Sequence, residues 1–407
     1  MNNLGSLVGF EFKKILHNKS VIISIVIAFI ITVFSCFTMI IGSNRQSNYG
    51  SDTMSNYDAM LLDKSYEKEF DGRLLDGELI MEASRAYQKI DENAAKYTES
   101  EGYQKYARKY SGIYGLIDAA FAQPGKAFNV NDFQAISEET ANNYYAFRES
   151  QYRTNLANNG LWSSSDIEKV MEMDEHVQKP FVLSYKDGYQ RFFVLSMTTI
   201  AILLLVISFC FSPIFSNEYT KKTDALILSS KNGKGTFIHA KIVTSLLFSF
   251  SLTLLFILSA YFVCMGIYGF DGTFAQLQLL IPAITYDFTM LDAAVLILVT
   301  SIFAAFLHTS ICLFISSSSK NIIIPMAVSV VLIAAGMFNG IDNNFFIKLR
   351  YFLPSAMGNF ADITTQLVFN VFGIQIMLYQ AVCIVAAVVG GLLLLLSYRN
   401  FKNHQVG

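Results

Sequence analysis

Charge is scarce in this chain. Lys, Arg, Asp and Glu make up 15% of its 407 residues, where a soluble domain carries about a quarter. A surface so poor in charge does not face water throughout, and the 53% hydrophobic content places the chain among membrane proteins. The net charge of −2 sums regions of opposite character and decides little. Cysteine is also sparse: Cys36, Cys210, Cys264, Cys312 and Cys383 all fall inside apolar runs, so a disulfide framework is not expected. The five histidines, His17, His176, His239, His308 and His404, show no metal-ligand spacing with one another or with the cysteines. Gly233-Lys234-Gly235-Thr236 departs from a phosphate-binding loop, which requires glycine where Leu228 stands and Ser or Thr directly after Lys234. No nucleotide, metal or nucleic acid is therefore expected on this chain. No carboxylate sits at mid-depth in an apolar run, Asp292 being at the edge of one, so a proton- or sodium-coupled carrier has no evident coupling group.

What the chain does have is long apolar runs. Residues 21–41, 192–211, 242–267, 291–315, 322–338 and 374–396 read as six spans, against the roughly 20 residues that a bilayer core requires. The fifth is short and carries Pro325 near its start, where a helix's first turn tolerates proline. The first run begins only at Val21 and lacks a following cleavage pattern of small residues, so it is expected to stay attached. Lysine and arginine are retained on the cytosolic side of membrane segments. Lys13, Lys14 and Lys19 precede span one, Lys320 lies between spans four and five, and Arg399 and Lys402 follow span six in a tail, 397–407. Both termini are thus expected in the cytosol of a multi-pass cell-membrane protein. Lys348 and Arg350, in the outer loop 339–373, run mildly against the pattern. Of the five histidines, His308 alone is embedded in a span, and a structural role satisfied by Thr309 or a neighbouring helix is favoured over a functional one.

Residues 42–191 are of another kind, with charge and tyrosine in place of continuous apolar runs. The segment is expected to be an extracytosolic, disulfide-free, mainly helical domain, long enough to bury a core of its own. Helix is predicted at Arg73 to Lys89, Ala94 to Ala119, Ser137 to Ala157 and Ser165 to Gln178, with breaks at Pro124-Gly125 and Asn158-Asn159-Gly160. Its tyrosines, such as Tyr87, Tyr103 and Tyr114, suit packing better than a ligand platform.

Two short stretches carry the functional signal. In residues 1–20, Leu4, Leu7, Val8, Phe12, Ile15 and Leu16 share one helical face opposite Lys13, Lys14 and His17, the pattern of an interfacial helix. Glu11 falls inside the apolar arc, and either snorkels to water or contacts a partner protein. In residues 212–241, Lys221, Lys222, Lys231, Lys234 and Lys241 mark a cytosolic hairpin between two spans. Tyr219 to Ser229 is expected to form a short helix whose Leu226 and Ile227 sit beside Lys222 and Asp224, with Thr236 capping the next helix. Such an element docks into a groove on a soluble partner, or is a solvated connector.

The arrangement resembles the permease subunits of the ABC-2 type, the membrane halves of ATP-binding cassette exporters. The resemblance rests on Glu11-Phe12-Lys13-Lys14-Ile15-Leu16 to Lys19, on Glu218, Thr223, Leu226 to Ser230 and Lys241, and on Tyr351-Phe352-Leu353-Pro354-Ser355. It implies an all-α membrane protein of six transmembrane helices with an N-terminal elbow helix and a coupling helix in the central loop. Glu11, Glu218, Lys222, Leu226 and Ile227 would then serve ATPase coupling. It implies that spans two and five line the path, which here offers Thr198, Thr199, Ser208 and Ser329. The partners it implies are separate ATPase subunits, which carry ATP and magnesium, and a second permease half in a homo- or heterodimer within the lipid. The large domain 42–191 departs from compact members of the family, so their substrates are not carried over. An amphipathic, lipid-like or peptide substrate is expected. The alternative is a peptide sensor or a bacteriocin or antibiotic immunity protein that binds through its outer domain.

Overall fold

The computed structural model describes residues 3–41, 48–49, 52–53, 55–90, 97–121, 128–229, 235–340, 343–371 and 373–403. The fold is mostly helical, and five of its helices are long and apolar enough to cross a membrane. Helix α1 (Asn3–Leu16) ends at a turn where the Asn18 side chain accepts from Ser20 N, which starts α2 (Lys19–Ile41). A short hairpin follows, β1 (Asn48–Tyr49) with β2 (Asp52–Thr53), and then seven short helices. These are α3 (Asn56–Glu69), α4 (Gly77–Tyr87), α5 (Ser111–Phe121), α6 (Val130–Gln134), α7 (Glu138–Asn142), α8 (Tyr144–Asn159) and α9 (Ser164–Asp174). Polar residues start many of them: Ser55, Asp76, Asn129, Ser137 and Ser163 each accept from a backbone N–H in the first turn.

The single long helix expected over Ala94 to Ala119 is broken. Residues 97–110 make 3-10 and π turns before α5 begins. Arg108 turns inward there, donating to Asp63 Oδ1 and Gln104 Oε1, each at 2.8 Å. The tyrosines pack: Tyr87 is buried, 4.5 Å from the Phe133 ring and stacked at 5.3 Å on Tyr114.

The next apolar run forms α10 (Asp187–Phe211), continued past Ser212 by α11 (Pro213–Thr220). Pro213 stands at the first position of α11, where its missing N–H costs nothing. After α12 (Asp224–Ser229) come α13 (Thr236–Tyr268), α14 (Met290–Ser318) and α15 (Ile323–Met337). The α10–α11 unit spans 34 residues and α13 33, about 50 Å each at the helical rise, against a hydrocarbon core of about 30 Å. Both therefore project beyond the lipid. Gly235 starts α13 and no side chain caps it, so Thr236 is the helix's first residue and not its cap. Asp292, the carboxylate at a span's edge, closes a capping box with Thr289.

Residues 339–373, read as an outer loop, are folded into the bundle. Helices α16 (Asn344–Arg350), α17 (Pro354–Met357) and α18 (Phe360–Ile363) lead to a hairpin of β3 (Val368–Val371) and β4 (Ile374–Met377). Ser355 Oγ bonds Ile333 O at 2.8 Å, and Phe360 stacks on Phe193 with ring centroids 4.2 Å apart. A Cβ at Gly336 would collide with Ser355 and Leu353, so this crossing requires glycine. Arg350 is buried, bidentate to Asp362 at 3.0 and 2.6 Å, and donates to Gly336 O at 2.8 Å. The basic residue that ran against the topological pattern is thus neutralised within the chain. Pairing of Ile374–Met377 with β3 also moves the start of the last span from 374 to Leu378, giving α19 (Leu378–Lys402).

Among the described residues, the apolar core of the region between the first two spans is continuous with that of the long helices. One apolar cluster runs from Leu79, Tyr87 and Phe133 to Cys264, Met290 and Ile297 in the long helices. Polar ties accompany it: Lys68 reaches Asp271 at 2.9 Å, Trp162 Nε1 bonds Gln366 O at 2.8 Å, and Arg148 Nε bonds Pro282 O at 2.5 Å.

Arg148 also holds Asp174 by two bonds, 2.9 and 2.8 Å, and Lys179 adds a third. Burial pushes the Asp174 carboxyl up, but the Arg148 and Lys179 contacts win and hold it below its ordinary value. A lowered native value stabilises the fold above the unfolded carboxyl's pKa of about 4 and is lost as pH falls through the native value. Asp174→Asn should therefore cost about 3–5 kcal/mol at neutral pH by stranding Arg148. The gap to the parent protein should narrow below pH of about 4, which thermal unfolding across pH measures.

Candidate functional site

Four charged side chains from three helices meet at one end of the bundle. Leu7, Val8, Phe12 and Ile15 turn α1 onto α13, with Phe12 and Phe248 edge to face at 5.7 Å and Thr244 Oγ1 bonding Val8 O at 3.3 Å. Glu11 lies on that same face and is 1% exposed. Its partner is Lys241, in the early turns of α13, also 1% exposed. Lys241 Nζ donates to Glu11 Oε2 at 3.3 Å, to Glu218 Oε1 at 2.9 Å and to Ile214 O at 3.2 Å, which satisfies its three protons. Lys14 Nζ reaches Glu218 Oε1 at 2.9 Å from the rim, and Thr223 Oγ1 donates to Glu218 Oε2 at 2.5 Å. Burial alone would lower the Lys14 pKa, but the Glu218 hydrogen bond and the Glu11 charge raise it. Two carboxylates and two ammoniums leave the cluster neutral.

Glu218 sits on α11, whose base is fixed. Phe215 N and Ser216 N donate to Ser316 Oγ, Tyr219 OH to Ser317 O, and Phe215 packs on Phe401 at 4.8 Å. The single helix expected from Tyr219 to Ser229 is split, because the chain reverses at Lys221-Lys222-Thr223. Lys222 takes a left-handed conformation with φ 55°, unusual for a residue other than glycine. Helix α12 then presents its residues unequally. Leu226 is 73% exposed, Lys222 is exposed, Ile227 is half-buried and Asp224 is buried.

Of the five residues that the ABC-2 resemblance assigned to partner contact, Lys222 and Leu226 face outward. Glu11 and Glu218 are internal, because each has its countercharge inside the chain, and Glu11 neither snorkels nor reaches a surface. Ser230, Lys231, Gly233, Lys234 and His404 lie outside the described residues. The four polar residues assigned to a path are not one constellation. Thr198 is exposed and Thr199 buried. Ser208 Oγ lies 2.7 Å from His308 Nε2, and Ser329 Oγ bonds Pro325 O and lies 3.2 Å from Cys312 Sγ. Of the two partners expected for His308, the neighbouring helix supplies one in Ser208, while Thr309 bonds Ser249.

Lys241 is the centre of the cluster, a role that the sequence reading missed, having taken it as a loop lysine and as part of the ABC-2 resemblance. The signal was there: a glutamate inside an apolar arc and a lysine inside an apolar helix each need a countercharge.

Fold and site together define a multi-pass helical membrane protein with a charged junction at one end. No protein-family model matches the chain, and no curated protein or solved structure matches it either.

Removing one partner of a buried ion cluster costs about 3–5 kcal/mol. Lys241→Met should therefore lower the thermal stability of the detergent-purified protein, leaving two carboxylates side by side. Adding Glu11→Gln and Glu218→Gln to that variant should restore most of the loss, which a comparison of melting midpoints measures.

Proposed function

We propose that this chain is the membrane-spanning permease subunit of an ATP-driven exporter of the ABC-2 type. The reading takes α1 as the elbow helix and α12 as the coupling helix, with α2, α10, α13, α14, α15 and α19 as six crossings. At 15 residues, α15 reaches about 22 Å and is the shortest of the six. The basic residues Lys13, Lys14, Lys19, Lys221, Lys222, Lys320, Arg399 and Lys402 gather at the end that holds α1 and α12. That end is the cytosolic one by the positive-inside rule, with both termini there and residues 42–191 outside the cytosol. ATP and magnesium belong to separate ATPase subunits, and a second permease half completes the assembly.

The observation that carries the reading is Leu226. A leucine 73% exposed, on a short helix whose base is fixed by the Glu218 contacts, is a surface that a soluble partner would cover. Motion imposed on α12 would pass through Thr223 and Glu218 to α1 and α13. An amphipathic substrate suits the exposed apolar faces of the crossings.

Leu226→Asp should abolish ATPase co-purification and transport-linked ATP hydrolysis, because it forfeits about 1.5–3 kcal/mol of burial and places a carboxylate in an apolar contact. Membrane level should be unchanged, as should all three readouts in the control Asn232→Asp. Normal partner binding by Leu226→Asp would make the loop a tether.

A further inference from the structure

A cavity of about 220 Å³ opens beside the charged junction, between α1, the start of α2, the α10–α11 junction and the start of α15. One bound water needs only about 10–15 Å³ of such space, so the cavity has room for a chemical group. Its wall is divided. Glu11, Lys14 and Ser212 supply polar atoms, while Val21, Phe209 and Met326 supply apolar surface continuous with the outside of the apolar helices.

Two of the polar atoms are unsatisfied. Glu11 Oε1 and Ser212 Oγ have no hydrogen-bond partner among the described residues, and their residues are 1% exposed. Glu11 Oε2 is taken by Lys241, so the second carboxylate oxygen is an acceptor with no donor among the described residues. A buried carboxylate oxygen left so costs free energy that a bound donor would recover. At the rim, Lys14 is 44% exposed and its ammonium, bonded once to Glu218, keeps protons for an anion.

We propose that the cavity holds the headgroup of an aminophospholipid, a primary ammonium beside a phosphate, with its acyl chain lying along the apolar wall. The ammonium donates to Glu11 Oε1 and Ser212 Oγ. The phosphate lies against Lys14. The acyl chain follows Val21, Phe209 and Met326 towards the lipid. A choline headgroup is excluded from the first role because its quaternary nitrogen has no proton to donate, and a glycerol headgroup lacks the cation. The site ties α1 to the leaflet in which it lies, whether or not the protein is an exporter, so its test reads binding and not transport.

The test uses the purified full chain in detergent, with added ethanolamine phospholipid, choline phospholipid or water-soluble ethanolamine phosphate. Thermal unfolding and native mass spectrometry are the readouts. The ethanolamine lipid should raise the melting midpoint by several degrees and remain bound, and the other two should not. Glu11→Gln should weaken that lipid's binding roughly tenfold or more, the effect of losing one charged hydrogen bond. Met326→Trp leaves the ion cluster intact and fills the apolar side, so it should abolish retention even if Glu11→Gln fails to fold. Equal stabilisation by the choline lipid, undiminished retention in Met326→Trp, or no shift with any lipid would overturn the proposal. An effect from ethanolamine phosphate as large as that from the lipid would overturn the assignment to a lipid.

Discussion

The contact on which one end of this protein depends is the lysine shared by two glutamates. Lys241 is buried in α13, and a lone ammonium there would be untenable, since several kcal/mol of hydration are lost when a charge leaves water. Glu11 and Glu218 lie 230 and 23 residues away along the chain, and each closes on the same nitrogen. The cluster thereby sets the register of α1 along α13 and the position of α11 at once. Through Thr223 it also places the reversal that aims α12 outward. An apolar contact would leave α1 free to slide by a turn, whereas a buried charge tolerates no such shift.

The other end uses the same chemistry with arginine. Arg148 and Arg350 are each buried and each grip one aspartate bidentately, and both spend remaining protons on backbone carbonyls. Arg148 thereby fastens the helices between the first two spans to the segment after α13. Arg350 fastens the segment after α15 to the end of that helix. The apolar core also runs unbroken from these helices into α13 and α14, so packing and ion pairs join the inserted region to the bundle together.

Much of the fold was legible because it rests on composition over long windows. Apolar runs of about 20 residues become helices wherever they fall, as backbone groups in lipid must bond within their own segment. The boundaries were less legible. Ile374–Met377 was read into the last span on apolarity, but its pairing with β3 turns on a partner strand that periodicity does not reveal. The helix expected over Ala94 to Ala119 is interrupted at 97–110, where Arg108 turns to Asp63, a partner that local propensity does not reveal.

The site shows the division most clearly. From sequence alone come the oddity of Glu11 in an apolar arc, the excess of lysine around α12 and the placing of Leu226 and Ile227 beside Lys222 and Asp224, since each is a local property of one stretch. Only the tertiary structure decided that Glu11 and Glu218 face inward, that Lys241 joins them and that Leu226 and Lys222 remain open. The reason is the range of the forces involved. Hydrophobic patterning is summed over neighbours in sequence, whereas a buried charge is satisfied by whichever countercharge the packing brings within hydrogen-bond distance, here one 230 residues along the chain.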